Sequence, residues 1–262
     1  MTTHKYNLKR NTTLTGWRFL PSQLGLLGER PASVDLRSML PPVFDQGEEG
    51  SCGPNSASGL MCFFNQDVSA FSRQQIYYCV RELEGSVNED AGVQTKDLFV
   101  VLKKTGAAPE TLWPYTDNMI VHPTDEVLQA AAQYKIQSYS QLVSEEDFLE
   151  CLAEGFPFIL GFEVYSSFES NQVERYGVLP RPVLNREKDL GGHDVLVVGY
   201  DTNFWQNSDF LKSGLSQSQI GNTALLIRNS WGANWGIDGY FWMSIDQASS
   251  VRTGGDAWTG RV

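Results

Sequence analysis

A thiol attacks carbonyl carbon only as its thiolate, and near neutral pH that anion needs a helix N-terminus, an imidazole, or both beside it. The chain has four cysteines, Cys52, Cys62, Cys79 and Cys151. Only Cys52 has flanks that suit a nucleophile, with Gly50-Ser51 before it and Gly53-Pro54 after it. Pro54 fits the first turn of a helix, where its missing N–H costs nothing. The free N–H groups and dipole of that turn favour an anion at Cys52. Gly50 and Gly53 let the chain turn sharply and let a substrate approach the backbone.

There are three histidines. His4 lies in a loose N-terminal stretch, and His122 precedes Pro123 in a predicted loop. His193 stands in Gly191-Gly192-His193-Asp194-Val195, where two glycines lead into a buried-looking strand, so it is the candidate base. Asn229 follows another predicted strand, in Ile227-Arg228-Asn229-Ser230-Trp231-Gly232. Its amide oxygen can accept the second imidazole N–H and fix the ring's tautomer, with Trp231 shielding that bond. Gln46, six residues before Cys52, can donate its amide to an oxyanion together with the Cys52 backbone N–H. Each signal alone is weak, since a buried cysteine usually serves as a small hydrophobe. Their order and flanks together carry the reading.

Those residues, with Val34-Asp35-Leu36-Arg37, Asp45-Gln46-Gly47, Trp235-Gly236 and Gly239-Tyr240, resemble the papain/cathepsin (C1) family of cysteine peptidases from about Pro31 to Tyr240. Glu82-Leu83, Trp113-Pro114-Tyr115 and Gly191-Gly192-His193 are similar to a propeptide-poor bacterial and viral branch. The resemblance implies peptide-bond hydrolysis through a thioester acyl-enzyme, with no metal or cofactor. Carried over by residue, Cys52 is the nucleophile, His193 the base, Asn229 the orienter and Gln46 the oxyanion donor. Gly92, Gly192 and Trp231 are expected to meet substrate, Gly92 by strand-like pairing. Two rivals share these residues: an acyltransferase or isopeptidase using the same triad, and a catalytically silent binding module. The sequence departs from the family's Cys-Gly-Ser-Cys-Trp signature: Glu49 replaces the first cysteine and Gly53-Pro54 follows the nucleophile. Asp194, directly after His193, would raise the imidazole's pKa if it turned toward the ring; otherwise it faces solvent or caps a loop.

The elements that must position these residues can be read in outline. A helix is predicted from Ser51 to about Phe64. A second is signalled by the capping-box pair Ser72 and Gln75 and stops at Gly85. A third runs from Thr95 to Gly106, with a capping residue in front. A fourth is capped by Ser144 with Asp147 and closes at Gly155. Strands are predicted at 156–162, 195–200, 224–228 and 240–245, with long excursions over 165–192 and 201–223. Helices early and strands late predict an α+β, two-lobed papain-like fold, with the site in the cleft between a helical lobe and a β-rich, barrel-like one. Residues about 31–140 form the mainly helical part and about 141–262 the mainly β part. Residues 1–30, too short for an ordinary inhibitory propeptide, are expected to clasp the lobes or to strap the cleft, the clasp being favoured.

Composition bounds the rest. With 262 residues and 41% hydrophobic, the chain can bury a large core. A net charge of −11 argues against nucleic acid or anionic membrane as partner, both of which need clustered Lys and Arg. The expected partner is a peptide or protein substrate. No apolar run reaches 18 residues and no signal-peptide core is present. With Cys52 set aside, three cysteines remain and cannot all pair, so the cytoplasm or another reducing compartment is expected.

Overall fold

The computed structural model describes residues 4–9, 18–19, 30–116, 119–250 and 256–262. Three helices dominate the first half: α1 (Cys52–Phe64), α2 (Arg73–Glu84) and α3 (Thr95–Lys104). Every residue of α1 from Cys52 to Phe63 is buried. Small residues make that possible, because they let the helix axis approach its neighbours closely on all sides. α2 begins where Ser72 Oγ accepts the Gln75 N–H at 3.1 Å and ends at Gly85, whose φ of +72° is the left-handed turn glycine takes most readily. The reciprocal half of the expected capping box is missing. The Gln75 side chain instead accepts from Ala108 N at 3.0 Å. In front of α3, Gln94 makes no side-chain cap.

The sheet holds β1 (Ser33–Asp35), β2 (Ser138–Leu142), β3 (Phe158–Tyr165), β4 (Val178–Leu179), β5 (Asp189–Asp201), β6 (Ala224–Arg228), β7 (Tyr240–Ser244) and β8 (Asp256–Arg261). Their order is β2-β8-β3-β5-β6-β7-β4, with β1 on β5, and β4 with β7 is the parallel pair. β5 changes partner along its length. Residues from Asp189 to Val197 pair with β3, and those from Leu196 to Asp201 pair with β6 across a register shift between Val197 and Gly199, with Gly199–Asp201 also pairing with β1. At Gly199 the Val34 carbonyl would lie 2.2 Å from any Cβ, so only glycine admits β1 there.

Successive β5 side chains feed two cores, as the period of two requires. Leu196 and Val198 join α1–α3 on one face. Val195 and Val197 join Phe162, Phe241 and the helix α5 (Glu145–Ala153) on the other; a short α4 (Asp125–Ala131) precedes α5 in the chain. The fold is therefore α+β and two-lobed. Two features depart from the reading by segments. β1 comes from the early, helical part of the chain yet belongs to the sheet, because Gly199 leaves an opening that its backbone fills. The excursions are also structured: α6 (Asn171–Tyr176) and β4 lie in the first, and α7 (Ser208–Ser213) and α8 (Gln217–Ile220) in the second.

One buried cation ties the sheet to the loop before α1. Arg228, at the end of β6, donates to the Pro41 and Pro42 carbonyls at 2.7 and 2.6 Å and to Tyr240 Oη at 3.1 Å. Replacing it with Met leaves buried acceptors without donors, each costing about 1–3 kcal/mol. Arg228→Met should therefore lower stability by roughly 2–4 kcal/mol in urea unfolding. A loss below about 1 kcal/mol would mean that the loop finds other donors.

Candidate active site

Cys52 opens α1, where the first-turn N–H groups have no intrahelical acceptors. The loop leading to it is fixed on several sides. Gln46 is almost fully buried: its N–H donates to the Ser230 carbonyl at 2.9 Å, and its Oε1 accepts from Ser230 Oγ at 2.6 Å. Its Nε2 donates one hydrogen to the Glu49 carbonyl at 2.8 Å. Gly50 N donates to Asp90 at 2.9 Å, and Ser51 Oγ bonds Tyr115 Oη. Glu49, where the resemblance expected a cysteine, is buried and accepts from Gln74 at 3.2 Å. Burial raises its carboxyl pKa.

His193 lies within β5, opposite Phe162 of β3, rather than ahead of the strand. Its Nε2 meets Asn229 Oδ1 at 2.9 Å, while Nδ1 has no partner among the described residues. The Trp231 ring lies 5.4 Å from the imidazole, tilted by 33°. The next residue closes the group: the Asp194 backbone N–H donates to Cys52 Sγ at 3.4 Å. So the sheet delivers His193, Asn229 and the Asp194 amide, and the helix delivers Cys52.

The Asp194 carboxyl turns neither to the imidazole nor to solvent. Fully buried, it accepts from Thr95 Oγ1 at 2.8 Å, while its Oδ2 has no partner among the described residues. Alternation explains the orientation, since neighbours on a strand point to opposite faces. Burial pushes its pKa up to about 8, against the Thr95 bond. Burial, then Asp194, pushes the Cys52 thiol up to about 12, and burial brings the His193 imidazole down to about 4, against its bond to Asn229. In this closed arrangement thiol and imidazole are both neutral.

The cover is residues 4–9. Leu8 N donates to the Gly192 carbonyl and Lys9 N to the Val93 carbonyl, each at 3.1 Å, so the segment bonds to both walls of the cleft. At Gly92, with φ +66°, the Asn7 carbonyl oxygen would lie 1.7 Å from a Cβ. The Tyr6 ring stands edge-on to His193 at 5.9 Å, and its hydroxyl donates to Glu169 at 2.7 Å. His4 stacks on Trp231 at 4.0 Å. Lys5 pairs with Asp90 at 2.6 Å and Lys9 with Glu84 at 2.5 Å. Gly92, Gly192 and Trp231, the residues expected to meet substrate, all meet this segment. Sequence reasoning missed Tyr6, Leu8, Thr95 and Glu49. One signal was available: His-Lys-Tyr-Asn-Leu-Lys-Arg at 4–10 has three Lys/Arg and no acid in an acidic chain.

All four cysteines are unpaired, and no group of His, Cys, Asp and Glu among the described residues could hold a metal ion. Nor is any described helix long and apolar enough to cross a membrane.

Comparison with known proteins gives a consistent answer. Residues 30–257 match the family described as papain family cysteine protease. An uncharacterized peptidase C1-like protein of Acanthamoeba polyphaga mimivirus is 30% identical over 229 residues, covering 82% of this chain and 68% of that protein. Cysteine proteinase 3 of Dictyostelium discoideum is 27% identical over 224 residues, 82% of this chain and 59% of its own length. Among solved structures, xylellain, a cysteine protease from Xylella fastidiosa, superposes with a TM-score of 0.82 at 31% identity, covering 100% of this chain and 97% of that one.

The buried carboxyl sets a pH dependence. Between the ordinary value of 3.8 and about 8, folded Asp194 keeps a proton that the unfolded chain has lost. Its contribution is therefore complete below pH 3.8 and is lost as pH rises toward 8. Asp194→Asn should remove that loss, so the variant gains on the parent protein between about pH 4 and about pH 8 in urea midpoints. An equal difference at both ends would show the carboxyl ionised in the fold throughout.

Proposed function

The chain belongs to the papain family of cysteine proteases, and on that premise we propose that Cys52, His193, Asn229 and Gln46 carry out peptide-bond hydrolysis. One observation carries the assignment: His193 commits Nε2 to Asn229 and leaves Nδ1 without a partner among the described residues, on the strand whose next amide bonds the Cys52 sulfur. Asn229 Oδ1 accepts the Nε2–H, which leaves Nδ1 as the nitrogen that exchanges a proton with the thiol.

The roles follow from the chemistry. His193 Nδ1 takes the thiol proton, and the thiolate sulfur bonds the substrate's carbonyl carbon. Negative charge moves to the carbonyl oxygen, where the second hydrogen of Gln46 Nε2 and the Cys52 backbone N–H receive it. The C–N bond then breaks and the amine leaves with the proton held by His193. Water, giving a proton to His193, splits the thioester and restores the thiol. Ion-pair formation requires water and a free cleft, since burial opposes both charges. Residues 4–9 therefore act as a strap that leaves before substrate enters. Four unpaired thiols suit work in a reducing compartment.

Cys52→Ala should abolish hydrolysis of a casein or fluorogenic peptide substrate while leaving the unfolding midpoint near that of the parent. Turnover retained by that variant would sink the mechanism. Gln46→Ala should lower kcat by about 10²–10³-fold, the usual cost of one oxyanion donor. The strap has its own readout. Tyr6→Ala together with Lys9→Ala should speed alkylation of Cys52 by at least about tenfold at pH 7, because each 1.4 kcal/mol of lost closure is about tenfold in open population. An unchanged rate would mean that residues 4–9 do not guard the thiol.

A further inference from the structure

Tyr115, from the Trp113-Pro114-Tyr115 run, touches the loop before Cys52 yet has no part in the chemistry assigned so far. Its segment is held against the first turn of α2. Ser72 Oγ donates to the Trp113 carbonyl at 2.7 Å, and the Thr116 N–H donates to Gln74 Oε1 at 3.3 Å. Between these two, the Arg73 guanidinium lies over the Tyr115 ring, its Cζ 4.0 Å from the centroid. Arg73 also donates to the Asp45 carbonyl at 3.1 Å, to Asn55 Oδ1 at 3.0 Å and to both Glu110 carboxylate oxygens at 2.8 Å. The ring is thereby fixed to segments on either side of Cys52.

The hydroxyl at the end of that ring closes a directed chain of hydrogen bonds. Asn55 Nδ2 donates to Ser51 Oγ at 3.2 Å, and Tyr115 Oη donates to the Gln46 carbonyl at 2.9 Å. A hydroxyl has one proton, so Tyr115, with its own given to Gln46, accepts that of Ser51. The Glu49 carboxyl is near enough to interact with the same hydroxyl but makes no hydrogen bond to it: Oε1 accepts from Gln74, and Oε2 has no partner among the described residues. What the Tyr115 proton holds is a peptide with little else to fix it. Gly47 has a φ of +61°, and no atom lies within 4 Å of where its Cβ would stand, so packing does not restrain the Gln46–Gly47 peptide plane. Two hydrogen bonds do, from the Gly47 N–H to Asp45 Oδ1 at 2.9 Å and from Tyr115 Oη to the Gln46 carbonyl. The other contact of that carbonyl, with the Glu49 N–H at 3.4 Å, is long for a hydrogen bond.

Resting on the hydrolytic reading above, we propose that Tyr115 is a positioning residue for the oxyanion donor: its hydroxyl holds the Gln46–Gly47 peptide so that Gln46 Nε2 aims its second hydrogen at the substrate's oxyanion. Tyr115 acts through Gln46 and needs no contact with substrate. Full negative charge reaches the carbonyl oxygen only as the sulfur bonds the carbon. A donor turned away from that point therefore costs rate and leaves substrate binding nearly unchanged.

Tyr115→Phe in the full chain keeps the ring on Arg73 and removes only the hydroxyl. It should lower kcat for a fluorogenic peptide by about tenfold or more, with KM within about threefold of the parent, the pattern of an interaction made only in the transition state. In Gln46→Ala the positioned donor is already gone, so adding Tyr115→Phe should cost less than about twofold more. Alkylation of Cys52 by iodoacetamide displaces iodide from a saturated carbon and forms no oxyanion. Its rate in Tyr115→Phe should therefore stay within about twofold of the parent, whereas a site damaged in general would slow both reactions. An unchanged kcat, an equal loss in both backgrounds, or an alkylation rate that falls with kcat would overturn the proposal. A parent without Cys52-dependent turnover would refute the reaction assigned above and take this role with it. Cys52-dependent turnover that Tyr115→Phe leaves unaltered would refute this role alone.

Discussion

The first turn of α1 lies directly on β5, and the site depends on that contact. A Cβ at Gly53 would stand 2.8 Å from Asp194 Oδ2, and one at Gly59 would stand 3.1 Å from Leu196 Cδ2. Two hydrogen bonds lock the approach: Asp194 N–H to Cys52 Sγ at 3.4 Å and Ser56 Oγ to the Asp194 carbonyl at 3.2 Å. A larger residue at Gly53 would push the helix off the strand and carry the thiol with it. Placement of the sulfur is thus set by the absence of side chains. His193 needs no separate alignment, since it precedes the residue whose amide meets the sulfur.

The contact has an electrostatic cost that the fold accepts. Bringing α1 onto β5 buries the Asp194 carboxyl beside the thiol; burial keeps that carboxyl protonated up to about pH 8, and once ionised it opposes the thiolate that the helix N-terminus favours. While the strap is in place both effects are secondary to desolvation, which keeps thiol and imidazole neutral. On the proposed function, removing the strap readmits water and so lowers the largest obstacle to the ion pair. The helix dipole, the Asn229 bond and the protonation state of Asp194 then set its population. On that reading local dielectric is the switch, and the polar groups tune the state it exposes.

Legibility in the sequence followed how local each cause was. Cys52, His193, Asn229 and Gln46 could be named because their flanks are chemically specific: glycines around a thiol, glycines before an imidazole, an amide after a strand. α1, α2, α5 and the middle strands could be named because their patterns lie within a few residues. β1, β2 and β8 could not: Ser33–Asp35 is a strand only because Gly199 leaves an opening for it. A strap over the cleft was the less favoured expectation for residues 1–30, and its contacts were hidden, since Lys5, Lys9 and Tyr6 find Asp90, Glu84 and Glu169 at separations of 85, 75 and 163 residues. Asp194 illustrates the intermediate case. Its closeness to His193 in sequence suggested a partnership with the ring, yet strand alternation sends its side chain to Thr95 on the opposite face.

On the proposed function, strap and substrate compete for one surface, and that couples specificity to latency. Gly92 and Gly192 admit a backbone, and Trp231 a ring. Any change that makes these walls better for a peptide also makes them better for residues 4–9. A tethered segment has an effective concentration of millimolar order, so a free peptide must overcome that advantage before it occupies the cleft. Apparent affinity is then the intrinsic one divided by the open fraction. A strap that fitted every feature of its cleft would be difficult to displace.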